Sequence, residues 1–284
     1  MSGELFIVAT PIGNLDDITL RAIETLRSAD LIAAEDTRHS RGLLNHLGID
    51  RPLLSLHEHN EHARVAQVIE RLRKGQRVAL VSDAGTPLIS DPGYPLVNAV
   101  VEAGFKVTPV PGASSVITAL SAAGLPTDSF CFHGFLSHKE KERARRLEHI
   151  GRQSGTQVLF ESTHRLMSLL RQVEQLLPQH QLVVAKELTK RHERFIRGSA
   201  QQCLAELERD SDLQKGEFVL LLYRAPGADA DDDQTEALRL LAMLLQHMPL
   251  NQAVQITSSY SGLKRNKLYR EALALSAAVD APGS

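Results

Sequence analysis

The segment 82–93 is dense in small residues, prolines and carboxylates, and it follows an apolar run at 77–81 that is typical of a buried strand. Open α/β sheets bind their ligands at the carboxyl ends of strands. Gly85 would let a ligand approach the backbone closely, and the Asp83 carboxylate could accept a hydrogen bond from a ribose hydroxyl or face a sulfonium cation. These residues favour a ligand site over a turn in which Asp83 and Asp91 only cap the local backbone.

Two further loops also lead from a strand into a helix, where free backbone N–H groups can meet a ligand. The loop 9–19 holds one glycine, so it is neither a dinucleotide-binding fingerprint nor a P-loop. By itself it is typical of an ordinary strand-to-helix turn. In the loop 109–115, Ser114 is either a ligand contact or only the N-cap of the next helix.

Three charged motifs stand at predicted strand ends. The segment 35–39 brings carboxylates and a guanidinium together, as a reactive cluster or as a surface ion cluster. The segments 160–165 and 186–192 carry basic groups that could hold phosphates. The histidines at 57, 59 and 62 have no second ligand cluster at a fitting spacing, so we predict a polar loop and no metal site there.

Apolar runs alternate with amphipathic segments along most of the chain, which predicts an α/β architecture. In the second half the predicted strands follow each other more closely, which suggests a mixed sheet. Strands are predicted over residues 4–10, 30–35, 77–82, 105–110, 129–134, 157–161, 182–186, 194–198 and 217–223. Helices are predicted through residues 18–29, 65–72, 96–101, 139–152 and 163–177.

The composition changes after residue 224. The stretch 225–233 is small, acidic and carries proline and glycine, so we interpret it as a solvated linker. Beyond it, apolar spacing and the breakers Pro249 and Gly262 predict three short helices. Three such helices form either a helix-turn-helix-like nucleic-acid module or a small packing cap.

The 284-residue chain has the composition of a globular protein of about two domains, with 43% apolar and 23% charged residues. Its net charge of −2 is unlike that of a generic polyanion binder, and its lack of tryptophan argues against an extended stacking surface. Neither observation excludes nucleic-acid binding, because local clusters of basic residues decide it. The two cysteines cannot form a zinc site by themselves, the apolar runs are too short to cross a bilayer, and no export signal is recognisable. We therefore expect free thiols and a cytoplasmic protein away from membranes.

Taken together, these loops resemble the tetrapyrrole methylase superfamily, a class of S-adenosylmethionine-dependent methyltransferases with two α/β lobes, and in particular its RNA-directed members. The resemblance covers nearly the whole chain. Its motifs lie in order at residues 10–15, 35–38, 82–87, 90–93, 110–114, 160–165, 186–190, 215–217 and 264–269. Corrin-type members have a glycine-richer first loop and a Gly-Asp-Pro sequence where this chain has residues 10–13 and 83–87. These departures put a tetrapyrrole substrate in doubt and fit the RNA-directed members.

The resemblance implies two α/β lobes with a cofactor cleft between them, plus a small C-terminal helical module. The implied domains are residues 1–115, 116–226 and 237–284, with an acidic linker over 227–236. The implied cofactor is S-adenosylmethionine, with no metal. The expected cofactor contacts are Pro11, Asp83, Ala84, Gly85, Ser114, Ser115, Leu188 and Gly216.

The implied activity is 2′-O-methylation of a decoding-centre cytidine in 16S ribosomal RNA, as RNA or in the small ribosomal subunit, by a homodimer. A 2′-hydroxyl is a weak nucleophile until a base takes its proton or a cation lowers its pKa. The candidates for this role are Glu35, Asp36, Lys186 and Glu187, and the sequence does not choose among them. The side chains expected to grip RNA are Arg38, His164, Arg165, Arg191, Lys264, Arg265 and Lys267. Methylation of a tetrapyrrole precursor and a non-catalytic role in ribosome assembly stay open as alternatives.

Overall fold

A computed structural model of the chain describes residues 3–57, 60–225 and 230–279. Contacts between backbone positions divide the chain into two units, Met1–Arg224 and Ala225–Ser284. The predicted polar loop around His57 falls partly outside the described residues, which leave out positions 58 and 59. Among the described residues, no helix is both long and apolar enough to cross a membrane.

Parallel strands form the first sheet, and they are β1 (Glu4–Val8), β2 (Leu31–Ala34), β3 (Leu53–Ser55), β4 (Arg77–Val81) and β5 (Lys106–Val110). Their order is β3-β2-β4-β1-β5. Strands β2 and β4 are buried almost throughout, as expected of a parallel sheet that helices cover on both faces. Because all strands run the same way, their carboxyl ends meet at one edge. The loops that follow β1, β2, β4 and β5 therefore lie together.

The helices of this first lobe are α1 (Leu20–Ser28), α2 (Thr37–His46), α3 (Glu61–Arg73) and α4 (Tyr94–Glu102). Side-chain caps fix the first turns of two of them. The Thr19 hydroxyl accepts from the Ala22 N–H at 3.1 Å, and the Asp36 carboxylate accepts from the Arg38 N–H at 2.8 Å. The helix α2 and the strand β3 were absent from the predicted elements, because α2 buries only two side chains and β3 has only three residues.

The second sheet is mixed, as predicted, and contains β6 (Phe130–Phe135), β7 (Thr156–Ser162), β8 (Gln181–Lys186), β9 (Arg194–Gly198) and β10 (Glu217–Tyr223). Its order is β6-β7-β10-β8-β9, and only β6 and β7 pair in parallel. The helices of this second lobe are α5 (Ser115–Ala123), α6 (Glu140–Gly151), α7 (Leu166–Leu176) and α8 (Ala200–Arg209). The two sheets with their helices confirm the predicted fold class of two α/β lobes.

Helix α5 packs on one face of the second sheet. Its Val116 and Leu120 join a buried cluster with Val183 and Val219 of that sheet, and Ile12 from the loop after β1 belongs to the same cluster. The loop after the first strand of the chain is therefore anchored in the second lobe.

The C-terminal unit consists of α9 (Ala230–Leu245), α10 (Leu250–Ser261) and α11 (Arg265–Val279). A small apolar core holds the three helices together, and its buried members are Ala237, Leu241, Ala253, Val254, Leu268 and Ala272. Gly262 ends α10 with a left-handed backbone (φ 70°), where glycine is favoured.

The predicted acidic linker over 227–236 is corrected in part. Helix α9 begins at Ala230, so residues 230–236 are helical, while 227–229 lie outside the described residues. An acidic run is typical both of a solvated linker and of a first helical turn, since the helix N-terminus carries a partial positive charge. Composition alone did not separate the two.

Candidate active site

A cavity of about 540 Å³ lies between the loops of the first sheet's carboxyl edge and the loops of the second lobe. Its lining includes Gly85, Ser114 and Leu188, one residue from each of three different loops. Every predicted cofactor contact except Pro11 lines it, and in the first loop the neighbouring Ile12 lines it instead. The lining members of the predicted set are Asp83, Ala84, Gly85, Ser114, Ser115, Leu188 and Gly216.

Gly85 joins the loop after β4 to the loop after β1. The Thr10 N–H donates to the Gly85 carbonyl at 2.9 Å, and the Gly85 N–H donates to the Thr10 carbonyl at 3.1 Å. The backbone at Gly85 has φ 80°, and a Cβ there would stand 3.2 Å from Ile12 Cγ2. A glycine is therefore required both by its conformation and by the closeness of the two loops.

Backbone strain is concentrated in the two loops that meet at the cavity. In the described part of the chain, the non-glycine residues with positive φ are Leu88 (74°), Ser90 (70°), Glu187 (50°) and Thr189 (64°). The first two lie in the loop after β4, and the other two lie in the loop after β8. Such conformations cost on the order of 1–3 kcal/mol each and cluster at functional sites.

The N-terminus of α5 opens onto the cavity at Ser114 and Ser115. Within the described residues, the Ser114 side chain caps no N–H of its own helix. The first N–H groups of a helix have no partner inside the helix. The serine hydroxyl and these backbone donors are consequently available to an anionic group in the cavity.

Glu35, Asp83 and Asp91 form a group of carboxylates in the lining of the cavity. Burial, and after it the nearby carboxylates of Asp83 and Asp91, raises the pKa of Glu35 above its ordinary value. Burial and the charge of Asp83 likewise raise the pKa of Asp91. Asp83 is held in place because its Oδ1 accepts from the Asp36 N–H at 3.0 Å. Like charges crowded in this way favour a cationic ligand, which would relieve their repulsion.

Glu187 holds the strained loop of the second lobe. Its Oε1 accepts from the Glu217 N–H at 2.9 Å and from Lys190 Nζ at 3.1 Å, and Lys190 Nζ also lies 3.0 Å from Glu217 Oε2. Burial alone would raise the pKa of Glu187, but the Glu217 N–H and Lys190 outweigh it and lower that pKa. Gly216 has φ 110°, a conformation that favours glycine, and a Cβ there would stand 2.5 Å from the same carboxylate and displace it.

The loops of the two lobes touch directly beside this cluster. The Asn14 N–H donates to the Thr189 hydroxyl at 3.1 Å, and Gly13 lies against Lys190 and the Leu188 carbonyl. Contacts between positions 175 residues apart thus join the loop after β1 to the loop after β8.

Glu35 is the one member of the predicted catalytic set that lines the cavity. Asp36 caps α2 and forms a bidentate ion pair with Arg38, which lowers the pKa of Asp36 to about 2. Lys186 is buried at the end of β8, and Glu187 points at the backbone of Glu217. Of the residues in the motifs 35–38 and 186–191, Glu35 and Leu188 alone line the cavity.

The predicted RNA contacts fall into different surroundings. His164 is exposed and lines the cavity, while Arg38 and Arg191 are exposed outside it. Arg165 is a correction, since its side chain is only 16% exposed and its guanidinium donates to the Leu136 carbonyl at 2.7 Å. Lys264, Arg265 and Lys267 are exposed at the start of α11 in the C-terminal unit.

Three aromatic residues in the cavity wall, Phe135, Phe160 and Phe218, were not among the predicted site residues. Phe160 lies in a predicted motif but was not selected, and Phe135 ends a strand without any motif around it. The ring of Phe135 meets that of Phe160 edge-on, with centroids 5.6 Å apart.

Two protein families match this chain. The family described as Tetrapyrrole (Corrin/Porphyrin) Methylases matches residues 4–204, and the one described as RsmI C-terminal HTH domain matches residues 231–276. Among solved structures, diphthine synthase superposes with a TM-score of 0.63 at 16% identity, over 78% of this chain and 90% of that one. The uroporphyrin-III-C-methyltransferase of Thermus thermophilus superposes with a TM-score of 0.56 at 22% identity, over 78% and 94%. The fold is thus that of a tetrapyrrole methylase.

Curated relatives narrow the class. The Haemophilus influenzae ribosomal RNA small subunit methyltransferase I is 45% identical over 276 residues, which are 96% of this chain and 98% of the relative. The protein of the same name from Escherichia coli O157:H7 is 47% identical over 272 residues, 95% of each chain. The chain belongs to the ribosomal RNA small subunit methyltransferase I family of tetrapyrrole methylases, which confirms the resemblance of its motifs.

Proposed function

We propose that this protein transfers a methyl group from S-adenosylmethionine to the ribose 2′-oxygen of a decoding-centre cytidine in 16S ribosomal RNA. Family membership supports the reaction and the class of substrate. The observation that carries the proposal is the cavity, because it gathers the cofactor residues expected from the motifs, with the exception of Pro11.

The residues of the cavity fit the proposed cofactor. Its volume of about 540 Å³ is within the range of sites for ligands of this size. The α5 N-terminus at Ser114 suits the carboxylate of the cofactor, and Asp83 and Asp91 suit its positive charges. Gly85 leaves room for close approach to the backbone. When bound, S-adenosylmethionine supplies an electrophilic methyl carbon on a sulfonium sulfur.

Glu35 is the side chain that we assign to accept the 2′-hydroxyl proton. It lines the cavity, and its raised pKa makes it a stronger proton acceptor than an ordinary carboxylate. Glu35→Gln should lower single-turnover methylation about 100-fold or more, the usual contribution of a positioned base. Asp36→Asn is the matched control, because Asp36 is the adjacent carboxylate, caps α2 outside the cavity, and asparagine also caps helices. Equal rates in both variants would remove Glu35 from this role.

RNA binding is assigned to the cavity mouth and to the helical module over 237–284. We assign RNA contacts near the lobes to His164, Arg38 and Arg191, and contacts from the module to Lys264, Arg265 and Lys267, all of which are exposed. The family match over 231–276 supports a nucleic-acid role for this module. We also propose that the protein is a cytoplasmic homodimer. Light scattering of the purified protein would test its dimeric state, and cell fractionation would test its location.

The decisive experiment is methylation of purified small ribosomal subunits with methyl-labelled cofactor, followed by nuclease digestion and mass spectrometry of the modified nucleotide. The expected product is one 2′-O-methylcytidine. In a parallel reaction that contains a tetrapyrrole precursor, a labelled tetrapyrrole together with unlabelled RNA would favour a tetrapyrrole methylase. Binding to subunits without any cofactor affinity in calorimetry would favour a non-catalytic assembly protein.

A further inference from the structure

We propose that Phe135 is a stacking platform for an unpaired nucleobase of the substrate, whose ribose then enters the cavity. This inference rests on the proposed function and adds to it the side chain that positions the nucleoside.

Phe135 is an exposed aromatic residue at a cavity wall. It ends β6, lines the cavity and is 56% exposed, which is unusual for a phenylalanine next to a ligand site. Its ring meets Phe160 at an angle of 63°, and Phe132 meets Phe160 in the same edge-on manner at 4.8 Å. The edge contact supports the ring and leaves a large part of it open to solvent. The low aromatic content of the chain argues against an extended stacking surface, but one exposed ring at the cavity mouth is enough for a single base.

The backbone around Phe135 is held firmly. The Arg165 guanidinium donates to the carbonyls of Leu136 and Ser137 at 2.7 and 3.2 Å, and pairs with the fully buried Glu161 carboxylate at 3.3 Å. A ring whose backbone is fixed in this way loses little freedom when a base stacks on it. Arg165, whose side chain is only 16% exposed, thereby supports the stacking platform.

Phe135 also stands where the two lobes meet. The preceding residue, Gly134, has φ 64°, and a Cβ there would lie 3.2 Å from the Ser90 hydroxyl oxygen in the loop after β4. A base on Phe135 would consequently sit next to the loop that carries Asp91 and Asp83. The attached ribose is then close to the carboxylates of the cavity wall.

One basic side chain of α6 lies close to this platform. Arg146 is exposed and lies 3.5 Å from His133 Nδ1, which ties the helix to β6 two residues before Phe135. The other exposed charges of α6 are mixed, since Lys141 and Arg145 stand among Glu140, Glu142 and Glu148. Phosphate contacts position a nucleic acid without reading its sequence, and aromatic stacking is equally tolerant of the base. The platform therefore sets the position of the nucleoside, whereas its base identity is read elsewhere.

The test compares Phe135→Ala with Phe135→Trp and with Phe130→Ala. Phe130 is the matched control, because it stands at the other end of the same strand, is 44% exposed and does not line the cavity. Each variant is measured for thermal stability, S-adenosylhomocysteine affinity by calorimetry, molar mass by light scattering, and KM and kcat on small subunits.

Phe135→Ala should raise KM for small subunits about 5- to 100-fold, which corresponds to about 1–3 kcal/mol of stacking at 1.4 kcal/mol per tenfold. Its cofactor affinity and molar mass should stay at wild-type values. Phe135→Trp should restore KM, and Phe130→Ala should behave as wild type.

Three results would overturn the inference. An unchanged KM in Phe135→Ala would show that no base stacks there. A loss of S-adenosylhomocysteine affinity would make the ring part of the cofactor wall, and a changed molar mass would make it part of an interface between copies. If Phe135→Ala fails to fold, a tryptophan variant with impaired KM decides against stacking. Failure of the wild-type protein to methylate small subunits would instead refute the proposed function.

Discussion

The role of Glu187 can be decided by comparing Glu187→Ala with Glu187→Gln. The alanine variant removes the acceptor of two hydrogen bonds, from the Glu217 N–H at 2.9 Å and from Lys190 Nζ at 3.1 Å. These contacts hold a backbone with φ 50° that places Leu188 in the cavity wall. The glutamine variant keeps an acceptor oxygen for the Glu217 N–H and loses only the charge.

The magnitude follows from the burial of these groups. The Glu187 side chain is 19% exposed, so its contacts are only partly screened by water. A hydrogen bond to a charged group contributes about 1.5–3 kcal/mol, which corresponds to about 10- to 100-fold in affinity. Lys190 keeps its partner Glu217 in the alanine variant, which limits the loss. We expect cofactor affinity to fall about 10-fold in Glu187→Ala and to stay within about 3-fold of wild type in Glu187→Gln.

The assay measures S-adenosylhomocysteine affinity by calorimetry and single-turnover methylation at saturating cofactor. A positioning residue changes affinity in the alanine variant and recovers in the glutamine variant. A catalytic base would do the reverse, since glutamine cannot accept the proton and turnover would fall about 100-fold at unchanged affinity. That second pattern, or two variants that both match wild type, would refute the assignment of Glu187 as a support of the loop.

Three further outcomes are expected. Gly85→Val should abolish cofactor binding in calorimetry while the circular dichroism spectrum stays native. The reason is that a side chain at φ 80° is strained and collides with the loop after β1. A folded variant with full cofactor affinity would contradict this. Burial lowers the pKa of His180 below its ordinary value of 6.5. As the pH falls, the unfolded chain therefore binds the proton before the folded chain does. Stability to urea should be full above about pH 6.5 and decline as the pH falls below it, with a shallower decline in His180→Gln. A chain ending at Arg224 should keep its cofactor affinity and lose methylation of small subunits, whereas full activity would deny the C-terminal unit a part in RNA binding.

The order and type of most elements could be predicted from the sequence, because apolar runs and amphipathic periodicity are local properties. Buried strands such as β4 and β10 are continuous apolar runs, and their alternation with helices predicts two α/β lobes. Helix α8 was missed although its signal is present, since Ser199 and Gln202 form a capping box at its start. Helix α2 was missed because it lacks an amphipathic apolar pattern, since Leu44 is the single large apolar side chain that it buries.

The sequence also predicted most of the loops that line the cavity. The small residues around Gly85 and the serines at 114 and 115 stand after apolar runs, and parallel strands bring their carboxyl ends to one edge. Loops that pack closely against each other require small residues at the contact positions. The residue types alone therefore indicate these positions.

Only the tertiary structure decided which charged side chains reach the cavity. Glu35 and Asp36 are neighbours in the sequence, yet one lines the cavity and the other caps a helix. Arg165 turns inward to Glu161, and Phe135 stays exposed beside the cavity. The physical reason is that a side chain's direction depends on partners far along the chain, such as those that join the loop of Asn14 to that of Thr189, and no local pattern encodes them.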